Sequence, residues 1–93
     1  MQEKKKDILV VLGRSSTRKI LEFLEEHADV RYKDLRQFAK PYALNRILRE
    51  LMDFDLIKYY FVSEGVREEW YESTERGRKI LQCLRELEEI LKE

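Results

Sequence analysis

The chain turns on the stretch Tyr32-Lys33-Asp34-Leu35-Arg36-Gln37-Phe38-Ala39-Lys40-Pro41-Tyr42-Ala43-Leu44-Asn45-Arg46-Ile47-Leu48-Arg49-Glu50-Leu51-Met52-Asp53-Phe54-Asp55-Leu56-Ile57. It predicts two helices joined by a tight turn, the first over 32–39 and the second over about 41–53. Proline has no backbone donor for a helix interior, and its fixed φ suits a first helical turn. Pro41 should therefore end the first helix and open the second. In the second helix Leu44, Leu48 and Leu51 recur at i, i+4 and i+7 with Ile47 beside them, while Tyr42, Asn45, Arg46 and Arg49 fall on the other side. One face belongs in a core. The other carries planar polar and cationic groups, the donor types that read base edges and neutralise phosphates, although a plain solvated face would show the same pattern.

Working outward, the whole chain of 93 residues has the length of one domain, and residues 1–93 are read as one. At that size folding buries only roughly 60 to 65% of the surface the unfolded chain exposes, so a partner subunit would add to a modest core. The formal charge is zero, with 19 basic and 19 acidic residues, which does not suit a general nucleic-acid coat. The distribution is uneven, however. Between Arg31 and Arg49 the bases Arg31, Lys33, Arg36, Lys40, Arg46 and Arg49 meet only Asp34, whereas beyond Glu50 the acids prevail. Positive charge is thus concentrated on the two central helices. Cys83 is the one cysteine, which excludes an intrachain disulfide and a cysteine-rich zinc site and suits a reducing cytoplasm. No apolar run reaches membrane-spanning length, and Lys4-Lys5-Lys6 leads into no long apolar segment, so neither a membrane anchor nor a signal peptide is expected.

Residues 1–6 read as a frayed start, and 7–12 as a short apolar helical turn stopped at Gly13. Ser15, Ser16 or Thr17 can cap a helix running to about His27, with Ile20, Leu21, Phe23 and Leu24 on its inner side. His27 is the sole histidine; with no second ligand nearby it reads as a favourable charge at a helix C-terminus and not as a metal site. Asp29-Val30-Arg31 is a short extended link. After Ile57 the period becomes alternating: Lys58 to Ser63 and Val66 to Ser73 are rich in aromatic and β-branched residues around Glu64-Gly65, which predicts a hairpin. Its aromatics Tyr59, Tyr60, Phe61, Trp70 and Tyr71 are expected chiefly in the core, with a base-stacking platform as the other reading. Thr74 should cap a last amphipathic helix, about 75–92. In it Ile80, Leu84, Leu87 and Leu91 make a two-heptad seam, widened by Leu81 and Ile90. That seam suits an isologous homodimer, or the closure of a monomer's own core. Cys83 beside it is expected to be buried or half-buried.

The order helix, helix, turn, helix, hairpin, helix resembles winged helix-turn-helix transcription regulators, of the HxlR-like group first, with ArsR and MarR relatives behind it. The likeness rests on Leu12-Gly13, Thr17 and Ile20-Leu21; on Arg31-Tyr32-Lys33-Asp34-Leu35-Arg36; on Leu48-Arg49-Glu50-Leu51 with Leu56-Ile57; and on Trp70 to Gly77 with Leu81. It covers about residues 12–81. The implied fold is mainly α with a small β-hairpin. Thr74 can also accept from the first turn of the last helix, and Gly77 would let that turn approach a neighbouring backbone closely. The wing tip is acidic apart from Arg67, and no cysteine lies in the second helix to serve as a thiol or metal sensor.

Two functions follow. In the first, a cytoplasmic homodimer binds double-stranded DNA, with Tyr42, Asn45 and Arg46 facing bases and Lys33, Arg36, Lys40, Arg49 and Arg67 on the backbone. In the second, the winged helix docks on protein, for which a neutral total charge and an acidic wing speak. An enzyme is not expected, since no phosphate loop, nucleophile elbow or catalytic pair is present, and neither cofactor nor metal is called for. The residues identify no effector.

Overall fold

The computed structural model describes residues 7–92; the frayed start expected at 1–6 lies outside them. Five helices and one hairpin follow each other as α1 (Ile8–Leu12), α2 (Ser15–Glu26), α3 (Tyr32–Leu35), α4 (Pro41–Asp53), β1 (Ile57–Val62), β2 (Glu68–Ser73) and α5 (Glu75–Lys92). The chain is mainly helical with a small β-hairpin and a C-terminal amphipathic helix, as its periodicities require.

The core forms where the apolar stripes meet. Ile20, Leu21 and Leu24 of α2, Leu35 of α3, and Leu44, Ile47, Leu48 and Leu51 of α4 close around Val11, Val30, Leu56, Ile57 and Leu81. Complete burial of one such side chain is worth about 1.5 to 3 kcal/mol relative to leaving it in water. Val30 enters the sheet as an isolated bridge to Tyr71, whose N–H donates to the Val30 carbonyl at 2.8 Å. The link at 29–31 is therefore a one-residue strand.

Three local expectations are corrected. The first central helix stops at Leu35 instead of continuing to Ala39. The Phe38 N–H donates to the Leu35 carbonyl at 3.0 Å and the Gln37 carboxamide to the Asp34 carbonyl at 2.8 Å, so a turn satisfies the last carbonyls and swings Phe38 inward. There it meets the Phe23 ring edge-on at 5.5 Å. Secondly, α2 is capped by Arg14 in extended conformation, without a side-chain bond, and not by Ser15, Ser16 or Thr17. Ser16 instead donates to the Phe38 carbonyl at 3.0 Å, and Thr17 is fully buried. Thirdly, the hairpin aromatics are not core residues as a group. The register pairs Ile57 with Ser73 and Tyr59 with Tyr71 on one face, and Tyr60 with Trp70 on the other. Of the aromatics only Tyr71 packs against the core, and burial raises its phenol above its ordinary value. Tyr59 and Phe61 are 43% and 47% exposed, while Tyr60 and Trp70 cover each other as parallel rings 5.3 Å apart. Alternation sends Tyr60 and Trp70 to the outer face, whereas Tyr59 and Phe61 share the face of Ile57 and Tyr71 but lie further out along the hairpin, where the core no longer covers them.

The junction from wing to α5 is fixed by Thr74. Its hydroxyl donates to the Asp55 carbonyl at 2.7 Å and accepts from the Gly77 N–H at 2.9 Å. Gly77 is buried against the Leu56 carbonyl, where an added Cβ would come within 2.1 Å of the oxygen. The close approach expected of this glycine is the observed one.

Candidate nucleic-acid interface

Lys40, in extended conformation, and Pro41 in the first turn set the start and the phase of α4. Since Leu44, Ile47, Leu48 and Leu51 are buried, Tyr42, Asn45, Arg46 and Arg49 must emerge on the opposite side, and all four are exposed. Together with Glu50 and Asp53 they line a shallow groove of about 370 Å³. Asn45 is held from outside its own helix. The Tyr32 hydroxyl donates to its Oδ1 at 2.7 Å.

Lys33, Arg36 and Lys40 are exposed on α3 and the following turn. Among the described residues none of Lys33, Arg36, Lys40, Arg46 and Arg49 is ion-paired with a carboxylate. Several arginines elsewhere are paired with carboxylates. Arg18 meets Glu88 at 2.5 Å and Arg85 meets Glu25 at 2.9 Å, tying α2 to α5, while Arg14 pairs with Glu50.

Arg67, expected on the DNA backbone, lies on the wing over the Phe61 ring, 5.2 Å from its centroid, and is 3.3 Å from Glu69. The same carboxylate accepts the Tyr59 hydroxyl at 2.7 Å, which together with desolvation raises that phenol above its ordinary value. Arg31 likewise reaches Glu68 at 3.3 Å. The wing acids Glu68 and Glu69 therefore pair Arg31 and Arg67, whereas Lys58 of β1 and the cations of α3 and α4 meet no carboxylate among the described residues.

Two features escaped the sequence reading. Glu50 is a buried acid, 3% exposed, and its position three residues after Ile47 and just before Leu51 marked it as core-facing. The bond from Tyr32 to Asn45 had no sequence signal, because it depends on how α3 crosses α4. On α5, Ile80 and Leu84 pack partly against their own core, while Leu87, Ile90 and Leu91 stand in solvent at 58%, 61% and 83% exposure. Cys83, expected to be at least half-buried, is exposed, because its helical phase follows Leu87 and Ile90 and not Leu81. His27 is exposed, with Nδ1 3.0 Å from the Phe23 carbonyl and its ring stacked on Phe23. No helix of the described residues is long and apolar enough to cross a membrane.

No protein-family model matches the chain, and no curated protein matches it. Solved structures do. A crystal structure described as a possible HxlR family transcriptional factor from Thermoplasma volcanium GSS1 superposes with a TM-score of 0.71 at 20% identity, covering 98% of this chain and 84% of that one. The structure of smu.1704 from Streptococcus mutans UA159 superposes with a TM-score of 0.69 at 23% identity, covering 99% and 87%. The fold is thus the winged helix of HxlR-like structures, and at these identities the likeness is one of fold.

Proposed function

We propose that residues 1–93 form a single winged-helix domain that acts as a cytoplasmic, sequence-specific DNA-binding transcription regulator, with α4 entering the major groove. The observation that carries this is the clustering of unpaired cations on one surface. Arg14, Arg18, Arg31, Arg67 and Arg85 each meet a glutamate, whereas the cations of α3, the turn and α4 are open on one surface. Arginine suits guanine and asparagine suits adenine in bidentate geometry, so Tyr42, Asn45 and Arg46 face bases. Lys33, Arg36, Lys40 and Arg49 contact phosphates, which fix register without reading sequence. Arg67 joins them once phosphate displaces Glu69. The exposed Leu87, Ile90 and Leu91 of α5, continuing the line of Ile80 and Leu84, support a homodimer closed through that helix.

A mobility-shift titration with duplex DNA at two salt concentrations tests the reading. Each phosphate contact contributes about 0.9 to the logarithmic salt slope. Arg46→Ala should weaken binding to the preferred site by roughly 1 to 3 kcal/mol and relax one base pair, while Lys33→Ala should weaken all sequences alike and make the slope shallower by about one unit. Both variants should stay folded, since exposed substitutions usually shift stability by less than about 0.5 kcal/mol.

One observation favours a second reading, in which the wing docks on protein. Its acids Glu68 and Glu69 are already engaged by Arg31 and Arg67, and Tyr60 and Trp70 form an outward aromatic pair. Failure to bind any duplex at either salt concentration would put this reading first.

A further inference from the structure

Tyr32 opens α3 and is half-buried, its ring packed against the core. Its hydroxyl donates to the Oδ1 of exposed Asn45 at 2.7 Å. The anchor is well placed to govern a side chain on another helix. Asn45 lies in the second turn of α4, exposed and beside Arg46. It would otherwise rotate freely about its terminal torsion, where two orientations of the carboxamide are nearly equivalent.

The consequence is chemical. A carboxamide reads adenine by accepting from N6 through oxygen while donating to N7 through nitrogen, which requires both atoms to face the base. With Oδ1 turned toward α3 and one of its two lone pairs taken by the hydroxyl, the group presented to a partner is the NH2, which has donors only. Guanine presents two acceptors, O6 and N7, on its major-groove edge, and adenine presents one acceptor beside a donor. A donor-only Asn45 meets guanine favourably and leaves the adenine N6–H facing N–H.

We infer that Tyr32 is a specificity-determining positioning residue, which orients Asn45 as a donor so that it selects guanine over adenine in the major groove. The inference rests on the DNA-binding reading above and departs from it in one respect, the base assigned to Asn45. The hydroxyl adds little to stability, because a bond at the surface competes with water. Its effect appears in selection.

The experiment is selection from a randomised duplex library with wild type, Tyr32→Phe and Asn45→Ala, beside measurement of the Asn45 side-chain amide by NMR in the free protein. Wild type should prefer guanine at one position, by roughly fivefold or more over adenine. Asn45→Ala should lose the preference there and nowhere else. Tyr32→Phe keeps the ring and should keep the melting temperature. It should shift that one position toward adenine and lower the order parameter of the Asn45 amide. An identical base profile for wild type and Tyr32→Phe would overturn the inference while leaving base reading by α4 intact, and so would an unchanged amide order parameter. A wild type that selects no sequence overturns the DNA reading and this inference with it.

Discussion

Gly77 and Asp55 stand on either side of the same junction and have opposite relations to their backbones. At Gly77 an added methyl would be driven to 2.1 Å from the Leu56 carbonyl oxygen, and that oxygen also accepts from the Thr74 N–H at 3.1 Å. Backbone cannot move aside there as a flexible side chain would. Gly77→Ala should lower the unfolding free energy by about 2 to 3 kcal/mol, read from urea denaturation; an unchanged midpoint would refute the close contact. Asp55 is an aspartate at φ 62, in the left-handed conformation that ends α4. The Leu56 N–H donates to the Leu51 carbonyl at 2.8 Å and the Asp55 N–H to the Met52 carbonyl at 2.9 Å, the bond pair of a Schellman ending. Glycine is the usual residue at that position, so Asp55→Gly should raise stability by about 0.5 to 1 kcal/mol in the same assay. A loss would mean that the aspartate carboxylate contributes more than the strain costs. Gly77 was legible in the sequence because it follows a capping threonine at the start of a helix. Asp55 was not, since aspartate gives only a weak turn signal by itself.

Elements were legible in proportion to how far their own residues determine them. The strong period of α4 and the Pro41 stop fix that helix from within, and both its bounds and its buried stripe are as read. The four residues of α3 are too few to be stable alone; their end is set by Phe38 turning to meet Phe23, a tertiary contact that local propensity does not encode. The hairpin aromatics show the same limit, because propensity predicts strand but not which face finds a helix. Ion pairs between helices are equally invisible in sequence, and the one joining Arg18 to Glu88 has a measurable pH signature. Its two bonds, 2.5 and 2.7 Å long, run from the second turn of α2 to the far end of α5. The hydrogen bond from Arg18 holds the Glu88 carboxyl below its ordinary value, with further help from the charges of Arg18 and Lys92, and Glu22 shares the guanidinium. The folded pKa is thus lower than the unfolded one. The stabilisation is complete above the ordinary glutamate range and is lost as pH falls through the depressed value. Amide protection in the last two turns of α5, taken relative to the intrinsic exchange rate at each pH, should fall in that window. Glu88→Gln should show the lower protection already at neutral pH and respond less to acid. Identical acid responses in the two proteins would show that the pair does not hold the helix.

Across the whole molecule, zero net charge conceals a division of surfaces. Open cations cluster on α3, the turn and α4, the wing acids pair Arg31 and Arg67, and α5 carries uncovered Leu87, Ile90 and Leu91. The first of these surfaces suits an anionic partner. The apolar stripe of α5 suits a copy of itself, because a helix on a two-fold axis meets its own face and each substitution enters the contact twice. Leu87→Glu would therefore place two carboxylates in one apolar interface, a burial that opposes association unless each finds a partner. Sedimentation equilibrium at tens of micromolar should give a dimer for wild type and a monomer for Leu87→Glu. The variant should stay folded, since Leu87 is exposed in the protomer, but its thermal midpoint should be lower than that of wild type and lose its dependence on protein concentration. DNA binding gives an independent reading of the same event. A two-fold dimer places recognition helices on half-sites about 34 to 36 Å apart, so wild type should prefer a duplex with two correctly spaced half-sites over one with a single half-site. Leu87→Glu should lose that preference and roughly halve the salt slope, because each complex then releases the counterions of one protomer only. A wild type that sediments as a monomer would refute the dimer outright. A Leu87→Glu protein that remains dimeric would move the interface away from α5 while leaving the cation surface of α3 and α4 as it is.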